Sequence, residues 1–135
     1  MNNKSPGRVA IYARISEDRE SDERGVDRQI EDCRVKAATL GLDVVEPPFV
    51  DNDISASERS TKVRPQYEAM LERARMGEFE TILAYSNSRL TRRPLEFEAL
   101  IKLSASHGTV IRTVVSGDDD LATADGQFVA RVKAA

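Results

Sequence analysis

Apolar and polar residues recur along this chain with two different periods, and the switches between them mark out the elements. Arg8 to Arg14 is an almost unbroken apolar run, which suits a strand covered on both faces, as in a parallel sheet. Ser16 to Gly25 is densely charged and shows neither period, which predicts a mobile loop. Val26, Ile30, Cys33, Ala37 and Leu40 then return at helical spacing, with Gly41 placed to stop the helix. Asp43 to Val50 predicts a second strand, which Pro47-Pro48 demotes to an edge or bulged position because proline cannot donate to the ladder.

Asp51 to Val63 reads as a polar loop, followed by a helix from Pro65 to about Met76 with Tyr67, Met70, Leu71 and Ala74 on its buried side and Gly77 ending it. Thr81 to Tyr85 predicts a strand and Pro94 to His107 a helix, with Leu95, Leu100, Ile101 and Leu103 as its apolar contacts. Thr109 to Val115 predicts the last clear strand. Strands and helices that alternate with short connections give an α/β fold with a mainly parallel central sheet and helices on both faces. From about Asp125, Phe128, Val129, Val132 and Ala135 open a helical apolar stripe that is still running at the last residue, and a stripe of that kind needs a partner surface. With no repeat or linker, residues 1–135 are expected to form one domain, with 1–7 as a flexible polar tail and about 125–135 as the start of a further helix.

Chemistry enters at the carboxyl ends of these strands, where an open α/β sheet builds its sites. Arg14 and Ser16 stand two residues apart, so a guanidinium and a hydroxyl leave the first strand on one face. More arginines follow: Arg64 before Pro65 at a helix start, then Arg89 and Arg92 within Ser88-Arg89-Leu90-Thr91-Arg92 after the strand at 81–85. Planar guanidinium groups hold phosphate oxygens two at a time and stay charged at physiological pH. A single serine after a strand is usually a turn former or cap, and a single arginine a solvated charge; it is their convergence that points to a phosphate. Arg93 precedes a proline at a helix start and is left out of this group.

Composition removes several classes. The 135 residues are 40% hydrophobic and 32% charged, enough to bury one core. No apolar run approaches the roughly 20 residues needed to span a bilayer, and the polar start does not read as a signal peptide. Cys33 is the single cysteine, so an intrachain disulfide and a cysteine metal site are excluded, and a reducing cytoplasm is the expected location. His107, the one histidine, stands beside Gly108 at a predicted helix end and is not placed for a Ser-His-Asp triad. No phosphate-binding G-x-x-x-x-G-K-[ST] segment occurs. Asp118-Asp119-Asp120 reads as a solvated acidic turn, since adjacent aspartates seldom converge on one ion.

Taken in order, Tyr12-Ala13-Arg14-Ile15-Ser16, Asp27-Arg28-Gln29, Asp51-Asn52-Asp53-Ile54-Ser55-Ala56, Arg64-Pro65, Arg89-Leu90-Thr91-Arg92 and Leu121-Ala122-Thr123-Ala124-Asp125-Gly126 resemble the serine site-specific recombinases, a family of resolvases, invertases and large phage-type integrases. The resemblance implies a resolvase-like catalytic domain in which Ser16 attacks a DNA phosphodiester, forming a 5′-phosphoserine bond and releasing a 3′-hydroxyl. It implies that Arg14, Arg64, Arg89 and Arg92 clamp the phosphate, that Asp51 helps order the arginines, that Gln29 is a polar group near the nucleophile, and that Tyr12 and Ser88 are supporting positions of the site. It also implies that neither a metal nor a nucleotide cofactor is needed.

The same resemblance implies duplex DNA as the partner, recognised mainly by regions that follow this domain, and assembly into dimers and tetramers through a long helix that starts near Asp125. Alone, this fragment is expected to be inactive or weakly active. Its net charge of −3 predicts weak DNA affinity, because nonspecific affinity comes from basic surface. The extended loops after Ser16 and Asp51 point to the large, integrase-type branch. Family members usually carry aspartate just before R-L-x-R, where it is a candidate proton-transfer group; here that residue is Ser88. A catalytically degenerate α/β interaction module is therefore one alternative, and a metal-dependent nuclease using Asp51, Asp53 and Asp118 to Asp120 is another.

Overall fold

Strand β1 (Arg8–Ile15) sits at the centre of a parallel sheet in a computed structural model that describes residues 7–15, 19–52, 65–86, 90 and 94–115. On one edge β1 pairs with β2 (Asp43–Val44) and β3 (Phe49–Asn52), and on the other with β4 (Thr81–Ala84), which pairs in turn with β5 (Val110–Thr113). All four pairings are parallel. Helices α1 (Arg19–Thr39), α2 (Pro65–Arg75) and α3 (Pro94–His107) make the crossovers. The chain leaves β1 towards one edge and returns to pair on its other side, so the carboxyl end of β1 lies at the topological switch point.

The apolar run of β1 is explained by its two covered faces. Residues Val9 to Ala13 are completely buried. Val9 and Ile11 pack with Leu83 against Cys33 and Ala37 of α1. Ala10 and Tyr12 face the other way, with Ile82, Ala84 and Ile111, into a core completed by Tyr67, Met70, Leu71 and Ala74 of α2 and Phe97, Leu100, Ile101 and Leu103 of α3. The mainly parallel α/β architecture read from the sequence is the one observed. β2 and β3 share one edge of β1 and are separated by Val45 to Pro48, the interruption expected from Pro47-Pro48. At the end of α1, Gly41 takes φ 71°, Gly41 N–H donates to Ala38 O at 3.1 Å and Leu42 N–H to Ala37 O at 2.9 Å, the paired bonds of a glycine-terminated helix.

Three expectations are corrected. Residues 19–25 are the first turns of α1 and not a loop. Hydrophobic periodicity reports burial, whereas a charged segment rich in arginine and glutamate has good intrinsic helix propensity and continues a helix nucleated further along. One of the two long loops that suggested the large branch is thereby removed. The buried stripe of α1 runs through Val26, Gln29, Cys33 and Ala37; Ile30 is only half-buried and Leu40 is exposed. Asp51 lies inside β3 and not in the loop beyond it, because the ladder with β1 continues to Asn52.

Among the described residues no helix is long and apolar enough to cross a membrane. The N-terminal tail up to residue 6, the segment 53–64, the side chain of Leu95, Asp118 to Asp120 and the stripe at 125–135 lie outside the described residues.

Candidate active site

Arg14 continues the face of β1 that carries Ala10 and Tyr12, and in the parallel register it stands directly opposite Asp51 of β3. Residues paired in this way point to the same side of a sheet. Both are charged, yet Arg14 is 7% and Asp51 4% exposed. Burial of that kind requires strong polar partners, and those of Asp51 are explicit. Its Oδ1 accepts the Gln66 N–H at 2.9 Å, and its Oδ2 accepts the Tyr67 N–H at 2.8 Å and the Tyr12 hydroxyl at 2.7 Å.

The start of α2 shows why a carboxylate is needed there. A helix leaves its first N–H groups without internal acceptors. Pro65, the first residue of α2, has no N–H, so the orphan donors begin at Gln66 and Tyr67. The residue before it in sequence is Arg64, whose side chain only donates and cannot serve as an N-cap. Asp51 therefore caps α2 from another element, where a negative charge also suits the positive end of the helix. The Tyr12 ring meets the Tyr67 ring edge-on, with centroids 5.4 Å apart and planes at 71°. One carboxylate thus joins β1, β3 and the first turn of α2.

Gln29 sits elsewhere. It lies on the face of α1 that covers Val9 and Ile11, across the sheet from Tyr12 and Asp51. One helical turn, about 6 Å, leads from Cys33 back to Gln29, and the crossover runs α1 antiparallel to β1, so this step is taken towards the carboxyl rim. The side chain is 4% exposed, and its Oε1 has no hydrogen-bond partner among the described residues. The structure thus brings together Tyr12, Arg14 and Asp51, and holds Gln29 on the opposite face.

Ser16, Arg64, Ser88, Arg89 and Arg92 lie outside the described residues. Three of them are one peptide bond from described positions: Ser16 from Ile15 at the end of β1, Arg64 from Pro65 at the start of α2, and Arg89 from Leu90, which is buried in the core. Tyr67 was legible in the sequence only as a core residue; its backbone contact with Asp51 was not. The available signal was a helix start with proline first and a donor-only arginine before it, which demands an acceptor from elsewhere. Among the described residues no group of three or more His, Cys, Asp or Glu side chains converges on a possible metal position. Asp53 and Asp118 to Asp120 are not among them.

Known proteins supply an independent comparison. Residues 9–135 match the family model described as the resolvase N-terminal domain. The N-terminal catalytic domain of TP901-1 integrase superposes with a TM-score of 0.72 at 21% identity, covering 93% of this chain and 90% of that one. A resolvase family site-specific recombinase from Streptococcus pneumoniae gives 0.70 at 20% identity, covering 93% and 87%. The C-terminal catalytic domain of ISC1926 TnpA, an IS607-like serine recombinase, gives 0.63 at 27% identity, covering 79% and 70%. No curated protein matches the chain. The family match from residue 9 onward and the shared fold give one answer: the chain belongs to the resolvase family of serine recombinases, proteins of site-specific recombination.

Proposed function

We propose that this chain cuts and rejoins DNA strands through Ser16. The Ser16 Oγ attacks the scissile phosphorus, the bond to the 3′ oxygen breaks, and the proton lost by the serine is balanced by one gained at the leaving 3′-hydroxyl. The resulting 5′-phosphoserine ester conserves the bond energy, so a 3′-hydroxyl from another strand can reverse the step without a nucleotide cofactor. Arg14, Arg64, Arg89 and Arg92 clamp the phosphate and offset the charge that develops on its oxygens, the kind of preorganised electrostatics that dominates phosphoryl transfer. Asp51 and Tyr12 hold the framework, and Gln29 approaches the rim from the α1 side. With Ser88 in place of aspartate, proton transfer passes through water and neighbouring groups.

The observation that carries this reading is the pairing of Arg14 with Asp51 at the carboxyl ends of β1 and β3, with Asp51 capping the helix that begins immediately after Arg64. Residues 1–135 act as the catalytic domain, and the segment from about 125 begins the helix through which subunits assemble into dimers and tetramers on duplex DNA. Trapping on nicked suicide DNA tests the reading: a covalent protein–DNA adduct is expected, insensitive to EDTA and lost in Ser16→Ala. Absence of an adduct under assembled conditions would identify a non-catalytic module. Cleavage abolished by EDTA and indifferent to Ser16→Ala would identify a metal-dependent nuclease.

A further inference from the structure

The chain leaves β1 for one edge of the sheet and β4 for the other, so the crevice of a topological switch point opens between the carboxyl ends of these two neighbouring strands. Arg14 borders it on β1. On β4 the bordering residue is Tyr85, which follows Ala84, the strand residue opposite Tyr12. Ile82 and Ala84 face the core under α2 and α3 and Leu83 the core under α1, so the alternation of β4 brings position 85 to the α1 side. The four strand residues before it are buried, whereas Tyr85 is half-buried. Its carbonyl accepts the N–H of Val114 at 3.1 Å and of Val115 at 3.0 Å, which fixes its backbone at the rim and holds Val115, 57% exposed, next to it. One lip of the crevice thus carries a guanidinium and the other an aromatic ring with an exposed valine.

Strand breakage creates a need for a surface of that kind. Within a duplex each base is covered by a neighbour above and below, and when cut ends part, the base bordering the break loses one of them at a cost in stacking energy. An aromatic side chain can cover the bared face of any base. We infer that Tyr85 takes the place of the lost neighbour, stacking on the base that borders the break and so favouring the cleaved, covalently linked state over the rejoined one. This rests on the proposed function and deepens it at the same crevice. The ring is the acting group, and the tyrosine hydroxyl is not needed.

The test is the equilibrium ratio of cleaved to rejoined DNA, measured with the recombinase assembled on an intact recombination site. Tyr85→Ala is expected to lower that ratio by about five- to a hundred-fold, the loss of one base–aromatic stack, whereas Tyr85→Phe retains it. Tyr85→Leu, which keeps apolar bulk and so guards against simple loss of folding, should also lower the ratio. On DNA with an abasic site at the bordering position, the unmodified protein and Tyr85→Ala should give equal ratios. On suicide DNA, where cleavage cannot reverse, all of them should reach the same adduct yield. An unchanged ratio in Tyr85→Ala and Tyr85→Leu, or the same drop on abasic and ordinary DNA, would overturn the stacking role while leaving strand cleavage intact. No suicide adduct from the unmodified protein would overturn both.

Discussion

Replacing Asp51 with alanine removes three hydrogen bonds from a buried site, and the structure allows the cost to be apportioned. Loss of an N-cap acceptor costs about 1 kcal/mol, and up to about 2 where the cap is well formed. Loss of the bond from the Tyr12 hydroxyl adds about 1.5 kcal/mol. A total near 3 kcal/mol is a large share of the roughly 5–15 kcal/mol that holds a domain folded. Asp51→Asn keeps one carbonyl acceptor, and the Tyr12 hydroxyl can rotate to suit an amide, so about 1 kcal/mol is expected. Urea unfolding followed by circular dichroism measures both, with an unchanged m-value as the sign that stability alone has moved. The sharper test is a double-mutant cycle. Tyr12→Phe alone should destabilise by about 1 kcal/mol, but its cost should shrink in Asp51→Ala, where the bond between the two side chains is already lost. An Asp51→Ala cost below about 1 kcal/mol, or the same cost for Tyr12→Phe in both backgrounds, would refute the shared-acceptor account.

Burial in the α1 face, reinforced by the nearby charge of Asp32, pushes the Cys33 thiol from 9.0 up to about 12. It should resist thiol reagents at pH 8 in the folded protein and react once guanidinium unfolds it. Since the folded state holds this proton more tightly, the associated stability is present below pH 9 and is lost as pH rises from there towards 12, which urea midpoints at alkaline pH would show. The paired bonds from Arg34 hold the Glu46 carboxyl below its ordinary range. The pair therefore stabilises above that range and loses its effect as pH falls through the lowered value. The Glu46 carbon shift should titrate below 4.5, returning upward in Arg34→Gln. Gln29→Leu removes a buried oxygen that has no hydrogen-bond partner among the described residues, and should raise stability by about 1 kcal/mol while slowing adduct formation. Lower stability with unchanged cleavage would remove Gln29 from the site.

How far the fold could be read from the sequence depended on which physical signal each element carries. β1 was legible because a strand buried on both faces must be apolar throughout, and α2 because its four buried positions sit at helical spacing between Pro65 and Gly77. The first turns of α1 were missed for the converse reason: a charged helical segment satisfies its own backbone and leaves no hydrophobic periodicity to detect. Choosing Ile30 over Gln29 for the buried stripe followed polarity, yet the angular position of residue 29 between Val26 and Cys33 is as good as that of residue 30, and tertiary packing decided between them.

The site was harder to read because its organising contacts are long-range. Arg14 and Asp51 could each be assigned to a strand end, but their opposition is a property of the register between β1 and β3, which depends on where the Pro47-Pro48 interruption lets pairing resume. The link from Asp51 to α2 has no sequence pattern of its own, since the acceptor precedes the amides it caps by 15 and 16 residues. What the sequence did contain was the complementary need: a helix opening on proline after an arginine lacks any local acceptor. Reading a helix start for the cap it fails to supply identifies a demand that some distant carboxylate must meet. Here the residue that meets it also receives the hydroxyl of Tyr12, so one carboxylate ties β1, β3 and the first turn of α2 together.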